Sequence, residues 1–196
     1  MNLIKPTKNE IPDQFETERL LVRRHRAADV DALYEAARES IADVGPFLSW
    51  CHPDYLVSES KQWIDQTISN WGDNNLFSFA IEEKASQRFL GGIGINGIDS
   101  HPMVNLGYWL RSSEMGKGYA IEATKGLINW TFEVLKIHRI EIILSIENES
   151  SKRVAEKTGA RFEGTLASRL QLHGRQHDAY LFALTRDDHS NSHTAN

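Results

Sequence analysis

The sequence predicts an α/β domain of the α+β kind, in which one mostly antiparallel mixed sheet carries helices on both faces. Three observations predict it. Short apolar segments with strand alternation take turns with segments of helical period. Residues 139–146 (RIEIILSI) form a nearly continuous β-branched run, as a buried central strand requires. The strand before that run is joined to it by a long helix, which marks one βαβ crossover in an otherwise antiparallel order.

In chain order, Leu20 and Val22 alternate within RLLVRRHR (19–26) as a strand. Val30, Leu33, Tyr34 and Ala37 fall on one face of a helix over 28–40. Gly45-Pro46 breaks the chain. Ser58 is expected to cap a helix that carries Trp63, Ile64, Ile68 and Trp71 inward. Phe77, Phe79 and Ile81 alternate, and a charged turn (EEKASQR) leads into a Gly-rich strand, FLGGIGINGI. A strand at 103–110 and a loop at 111–118 precede a helix from about Tyr119 to Leu135, with Ile121, Thr124, Ile128, Thr131 and Leu135 on one face. The central strand follows, then a short helix over 150–157 with Gly159 at its C-terminal end. Residues 162–172 and 177–185 close the domain as a hairpin around His173-Gly174-Arg175-Gln176.

The chain has 196 residues, enough for one domain. Residues 1–14 are polar with two prolines and are expected to be a flexible arm, 15–186 a single domain, and 187–196 (DDHSNSHTAN) a disordered tail. Lys and Arg number 22 against 27 Asp and Glu, a net charge of −5, which argues against coating nucleic acid through a basic field. No apolar run approaches the roughly 20 residues that span a bilayer, and residues 1–14 lack the pattern of a secretory signal. Cys51 is the single cysteine, so an intramolecular disulfide and a CxxC site are excluded and a reducing cytoplasm is expected. His173 and His177 straddle a turn without a third ligand of suitable spacing, so no metal is expected. A monomer or a homodimer is expected.

The most informative stretch is NLGYWLRSSEMGKGYAIEA (105–123). A strand ends at Leu110, and a loop with Gly116 and Gly118 opens directly into a helix. Glycines let a backbone approach a ligand closely, and a helix start adds unsatisfied N–H donors and partial positive charge. Together they suit a phosphate, with Lys117 as a further charge. By itself, GxG is equally a flexible turn. It is neither a P-loop, lacking GK[ST], nor a dinucleotide fingerprint, lacking GxGxxG.

A second segment, ENESSKRVAEKTGARFEG (147–164), places Asn148, Ser151, Arg153, Val154 and Gly159 in a further pattern. Together with ETERLLVRRHRAADVDALYEA, NLGYWL, MGKGYAIEA and GRQHDAYLFALT, it makes the chain resemble the GNAT superfamily of acyl-CoA N-acyltransferases over residues 15–186. Within it, the chain is similar to the ribosomal-protein (RimJ/RimL-type) serine/alanine N-acetyltransferase branch. The resemblance implies the GNAT fold, with a V-shaped opening between two central strands where acetyl-CoA inserts. It implies that Tyr108, Trp109 and Leu110 hold the pantetheine arm through backbone groups. It implies that Met115, Gly116, Lys117, Gly118, Tyr119 and Ala120 cradle the diphosphate, and that Asn148 and Ser151 face the sulfur. Ser113 stands where the superfamily often has Arg or Gln.

The implied reaction is attack of a neutral amine on the acetyl-CoA thioester, with no covalent enzyme intermediate and no metal. The protein aligns the reactants, stabilises the oxyanion through a strand N–H near Leu110, and handles protons. Ser151 and Asn148 carry the catalytic assignment, Ser151 as proton donor to the thiolate. The alternatives are a helix-start serine bonded to backbone and a strand-end cap. A glutamate used as base by some members has no counterpart at Leu170, Gln171 and Leu172, which leaves Glu82, Asp99, His52 or a water chain. Asp178 fits the ending pattern and is equally a structural residue beside a hairpin. The expected acceptor is the N-terminal α-amino group of a ribosomal or other protein. Alternatives are a small amine (polyamine, amino acid or drug) and a CoA-binding module without turnover. Phe47, Leu48, Trp50 and Trp63 either line the acceptor site or plug the core.

Overall fold

The computed structural model describes residues 11–73, 76–97 and 101–189. Eight strands form one sheet: β1 (Gln14–Glu16), β2 (Leu20–Arg24), β3 (Phe77–Glu83), β4 (Phe89–Gly97), β5 (Met103–Leu110), β6 (Arg139–Ser145), β7 (Arg161–Leu172) and β8 (Arg175–Thr185). Their order is β1-β2-β3-β4-β5-β6-β8-β7, and β5–β6 is the parallel neighbour pair. The helices are α1 (Val30–Glu39), α2 (Ile41–Val44), α3 (Val57–Ser69), α4 (Tyr119–Trp130) and α5 (Glu149–Lys157). A π-helical turn, Thr131–Leu135, continues α4 to the point where the helix was expected to end.

Strand alternation divides the sheet's side chains between two cores. Ile93, Ile95, Leu106, Leu110 and Ile140 face α4, against Ala123, Leu127, Ile128 and Trp130. Ala80, Phe89 and Trp109 face α1 and α3, against Leu33, Ala36 and Ile64. The buried face of α4 is therefore wider than the predicted stripe, taking in Tyr119, Ala123 and Leu127 as well as Thr124 and Ile128.

Local geometry corrects several boundaries. The N-cap of α3 is Leu56, not Ser58: its amide donates to Glu59 Oε2 at 2.8 Å, so a glutamate three residues into the helix satisfies the cap. Ser58 sits inside the first turn. Trp63 is 48% exposed rather than inward, and Trp71 lies beyond the helix, buried edge-on against Phe77 and Phe79. The β7–β8 hairpin turns on two residues only, with Leu172 opposite Arg175. His173 (φ 49°) and Gly174 (φ 74°) are both left-handed, as a type I′ turn demands, so Arg175 and Gln176 belong to β8. Gly159 (φ 85°) ends α5 as expected. Of the expected arm and tail, residues 1–10 and 190–196 lie outside the described residues. Residues 186–189 form a helical turn, in which the amide of Thr185 donates to Asp188.

Candidate active site

Strands β5 and β6 pair at Met103–Arg139, Val104–Ile140 and Asn105–Glu141, then separate. Strand β5 stays paired with β4 as far as Leu110, opposite Gly91. The Arg111 amide donates to Leu90 O, which fixes the parity of that ladder. Odd-numbered amides therefore point to β4. The amides of Tyr108 and Leu110, with the carbonyls of Leu106 and Tyr108, point into the opening. A V with unpaired peptide groups along one arm can receive an extended ligand as a strand would be received.

Two side chains span the V. Tyr108 Oη lies 2.8 Å from Ser151 Oγ on α5 and also donates to Ser151 O at 3.3 Å. Burial pushes the Tyr108 phenol up to about 12. Asn148 is the N-cap of α5: its Oδ1 accepts from the Ser151 amide at 2.9 Å and from Ser150 Oγ at 2.8 Å. That bond fixes the helix start on which Ser151 stands. Trp109 points to the other face, toward α1 and α3.

The loop after β5 begins with a 3₁₀ turn, Ser112–Glu114, and then passes through Gly116 (φ 77°) and Gly118 (φ 86°) into α4. Both conformations favour glycine. The amides of residues 116–121 donate no hydrogen bond among the described residues; the Glu122 amide, bonded to Gly118 O, is the first of the helix to do so. Six adjacent free donors at a helix start form an anion cradle. Lys117 is not a free charge, because its Nζ is 2.8 Å from the buried Glu114. Arg19 reaches the loop from β2's entry, donating to Lys117 O at 3.1 Å, stacking over the Tyr119 ring, and pairing with Glu122 at 2.7 Å. Arg88 reaches it from the β3–β4 turn, bonding Ser113 Oγ and Glu114. Two guanidinium groups thus flank the loop, each like Lys117 already paired with a carboxylate, near the position where Ser113 brings no charge. The Tyr119 hydroxyl donates to Glu83, and Met115 is exposed. The loop's root is tied to α1 through Glu39, which accepts from Arg111 and from the Ser113 amide; those bonds hold its carboxyl down at about 2.

On the opposite face of the sheet lies a cavity of about 500 Å³. Its floor includes Gly92, Gly94 and Gly107, and a Cβ at Gly107 would meet nothing within 4 Å. Its walls include Leu48, Trp50, Tyr55, Trp63 and Trp109, with Tyr108 bordering it at the V. Leu48, Trp50 and Trp63 therefore line the cavity instead of plugging the core, while Phe47 is half-buried outside it. Glu59 stands on the wall and holds His52 Nε2 at 3.0 Å.

The candidate bases separate on this geometry. Glu82 is locked to Arg23, which also clasps Asp29. Asp99 lies outside the described residues. His52 reaches the cavity through Glu59. Asp178 Oδ1 accepts from the Ser168 amide at a bulge of β7, a structural duty. His173 is bonded to Gly45 O, docking the hairpin on the segment after α2. Cys51 is buried, and burial pushes its thiol up to about 11, the opposite of an activated nucleophile. Among the described residues, no group of three or more His, Cys, Asp or Glu is placed to hold a metal.

Sequence reasoning missed the side chain of Tyr108, and it missed Arg19 and Arg88. Arg19 stands inside the ETERL pattern, so a signal existed there. Nothing local marked the other two.

The chain is similar to known proteins. The uncharacterized N-acetyltransferase p20 of Bacillus licheniformis is 29% identical over 181 residues, 89% of this chain and 97% of its own. The ribosomal-protein-serine acetyltransferase of Escherichia coli is 30% identical over 152 residues, 65% of this chain and 82% of its own. The structure of Mycobacterium smegmatis RimJ in complex with CoA-disulfide shares the fold, with a TM-score of 0.82 at 23% identity over 90% of this chain and 89% of that one. The family model for the acetyltransferase (GNAT) domain matches residues 19–161, from the arginine over the cradle to the strand after α5, and the chain belongs to that family.

Proposed function

We propose that the chain transfers an acetyl group from acetyl-CoA to the N-terminal α-amino group of a ribosomal or other protein, by direct attack in a ternary complex. The coarser part is membership of an acyltransferase family whose co-substrate is acetyl-CoA. The finer part is supported by the names of relatives, among them the E. coli ribosomal-protein-serine acetyltransferase. The observation that carries it is the V, whose unpaired peptide groups at Tyr108 and Leu110 lie between the anion cradle on one face and the cavity on the other.

The residues fit the donor. Gly116 and Gly118 open the loop, the amides of residues 116–121 are free for a diphosphate, and β5 offers its edge to an amide-bearing arm. When bound, acetyl-CoA supplies an acyl carbon activated by a thiol leaving group. Leu110 N–H, aimed into the V, is the donor for the carbonyl oxygen as it gains charge. Tyr108 on β5 and Ser151 on α5 bring two hydroxyls within 2.8 Å of each other across the V. An α-amino group, with a pKa of about 7.7–8.0 against about 10.4 for lysine, reaches the neutral form more readily near pH 7.

A second reading, a small amine as acceptor, is favoured by the cavity itself. Its volume falls within the range of small-molecule pockets, roughly 300–1,000 Å³, and its walls are largely aromatic. The test is thiol release from acetyl-CoA with a ribosomal-protein N-terminal peptide, its Nα-blocked counterpart, and a panel of polyamines, amino acids and amine drugs. Turnover of the free peptide and not the blocked one supports the first reading. Higher kcat/KM for a small amine replaces it with the second. Tight CoA binding without turnover on any amine would leave a binding module.

A further inference from the structure

We infer that Tyr108 and Ser151 act together as a proton relay, carrying the proton that the attacking nitrogen must lose to the thiolate that must gain one. The inference rests on the transferase reading and adds a catalytic role for Tyr108. Three observations carry it. The two hydroxyl oxygens are 2.8 Å apart across the V. Tyr108 packs on the α4 face of β5 and also borders the acceptor-side cavity, so this residue lies where the two sides of the sheet meet at the V. Among the described residues the candidate carboxylates are engaged elsewhere: Glu82 is held by Arg23, Asp178 by the Ser168 amide, and Glu59 by the Leu56 amide and His52, while Leu170, Gln171 and Leu172 occupy the end of β7.

The step balances without an outside base. The N–C bond forms and the C–S bond breaks. One proton leaves the nitrogen for Tyr108 Oη, the phenolic proton passes to Ser151 Oγ, and the serine proton passes to the sulfur. Both side chains end as they began. The coupling is required by acidities. A thiolate whose conjugate acid has a pKa near the ordinary thiol value of about 8.5 cannot strip a serine hydroxyl unaided. Nor does the buried phenol, raised to about 12, persist as a free anion at neutral pH. A nitrogen made acidic by bonding to the acyl carbon drives the chain from its other end. Ser151 is presented to the sulfur side by the Asn148 cap, which holds the Ser151 amide.

The experiment compares wild type, Tyr108→Phe, Ser151→Ala, Ser151→Thr and the Tyr108→Phe/Ser151→Ala double variant. It reads single-turnover acetyl transfer, CoA affinity by calorimetry, and the dependence of rate on deuterium fraction in the solvent. Each hydroxyl deletion is expected to slow transfer about 100-fold, and Ser151→Thr to restore most of the rate. The double variant should be no slower than the slower single, because the two act as a unit. CoA affinity should stay within about twofold across the set. The deuterium dependence should be curved in wild type, with more than one proton in flight. Transfer by Tyr108→Phe within threefold of wild type, losses that multiply in the double variant, or CoA affinity that falls in step with rate would each overturn the relay. Wild type that transfers to no amine overturns the transferase reading and the relay with it, so the two failures are told apart by the wild-type lane.

Discussion

At the scale of the residue, His25 shows how much this molecule asks of single side chains. It follows β2, touches the cavity, and is buried with neither ring nitrogen bonded. Burial lowers its pKa to about 4, with Arg23 acting the same way and Asp29 opposing. The sign of the consequence is fixed. The unfolded chain takes up the proton near pH 6.5 and the folded chain only near 4, so stability present above pH 6.5 is lost progressively down to about pH 4. The span corresponds to about 3 kcal/mol at most. Replacing His25 with Leu should remove that component. In urea titrations between pH 7 and pH 4, the variant should gain about 3 kcal/mol relative to wild type on acidification. Parallel loss of stability in both proteins would show that His25 is not the group responsible. The sequence offered His25 only as part of a strand, because an imidazole's burial depends on distant partners such as Phe89, whose ring lies 6.4 Å from it.

At the scale of the element, β4 and β5 carry the site by what they omit. FLGGIGINGI and NLGYWL are legible as strands, and the two-residue period is plain. That Gly92, Gly94 and Gly107 share the face toward α1 and α3 follows from the register Gly92–Trp109 and Gly94–Gly107, which no single segment reveals. The glycines are not equivalent. A Cβ at Gly94 would meet Phe77 O at 2.6 Å, whereas one at Gly107 would meet nothing within 4 Å and project into the cavity. Gly107→Val should therefore fold at least as stably as wild type, since valine suits a strand. It should raise the acceptor KM about tenfold or more while leaving CoA affinity unchanged. Acceptor kinetics identical to wild type would remove the cavity from the acceptor path. The same logic explains why Gly116 and Gly118 were legible in advance. Their role is written in the loop's own backbone, with φ of 77° and 86°, and not in a neighbour's register.

At the scale of the whole molecule, the V is the feature from which the other sites take their places. The crossover through α4 and the buried central strand were readable from periodicity, and so was the parallel pairing they impose. The point where β5 and β6 part was not, because it depends on the pairing each strand keeps beyond it, β5 with β4 as far as Leu110 and β6 with β8 as far as Ser145, which no local period reveals. The parting after Asn105–Glu141 has a measurable signature. Along β5, the amides of Gly107 and Trp109 are bonded to β4, and those of Tyr108 and Leu110 are open to the V. Amide hydrogen exchange followed by NMR should show that alternation in the free protein, with Tyr108 and Leu110 exchanging faster than their neighbours. Saturating CoA should then slow exchange at Tyr108, Leu110 and residues 116–121 together, leaving Gly107 and Trp109 little changed beyond the global stabilisation. That global component is about 2.7 kcal/mol at a hundredfold excess over Kd. Uniform slowing along β5, or slowing confined to the cradle, would mean that the ligand's arm does not lie along the strand, and the V would lose its role as the place where donor and acceptor meet.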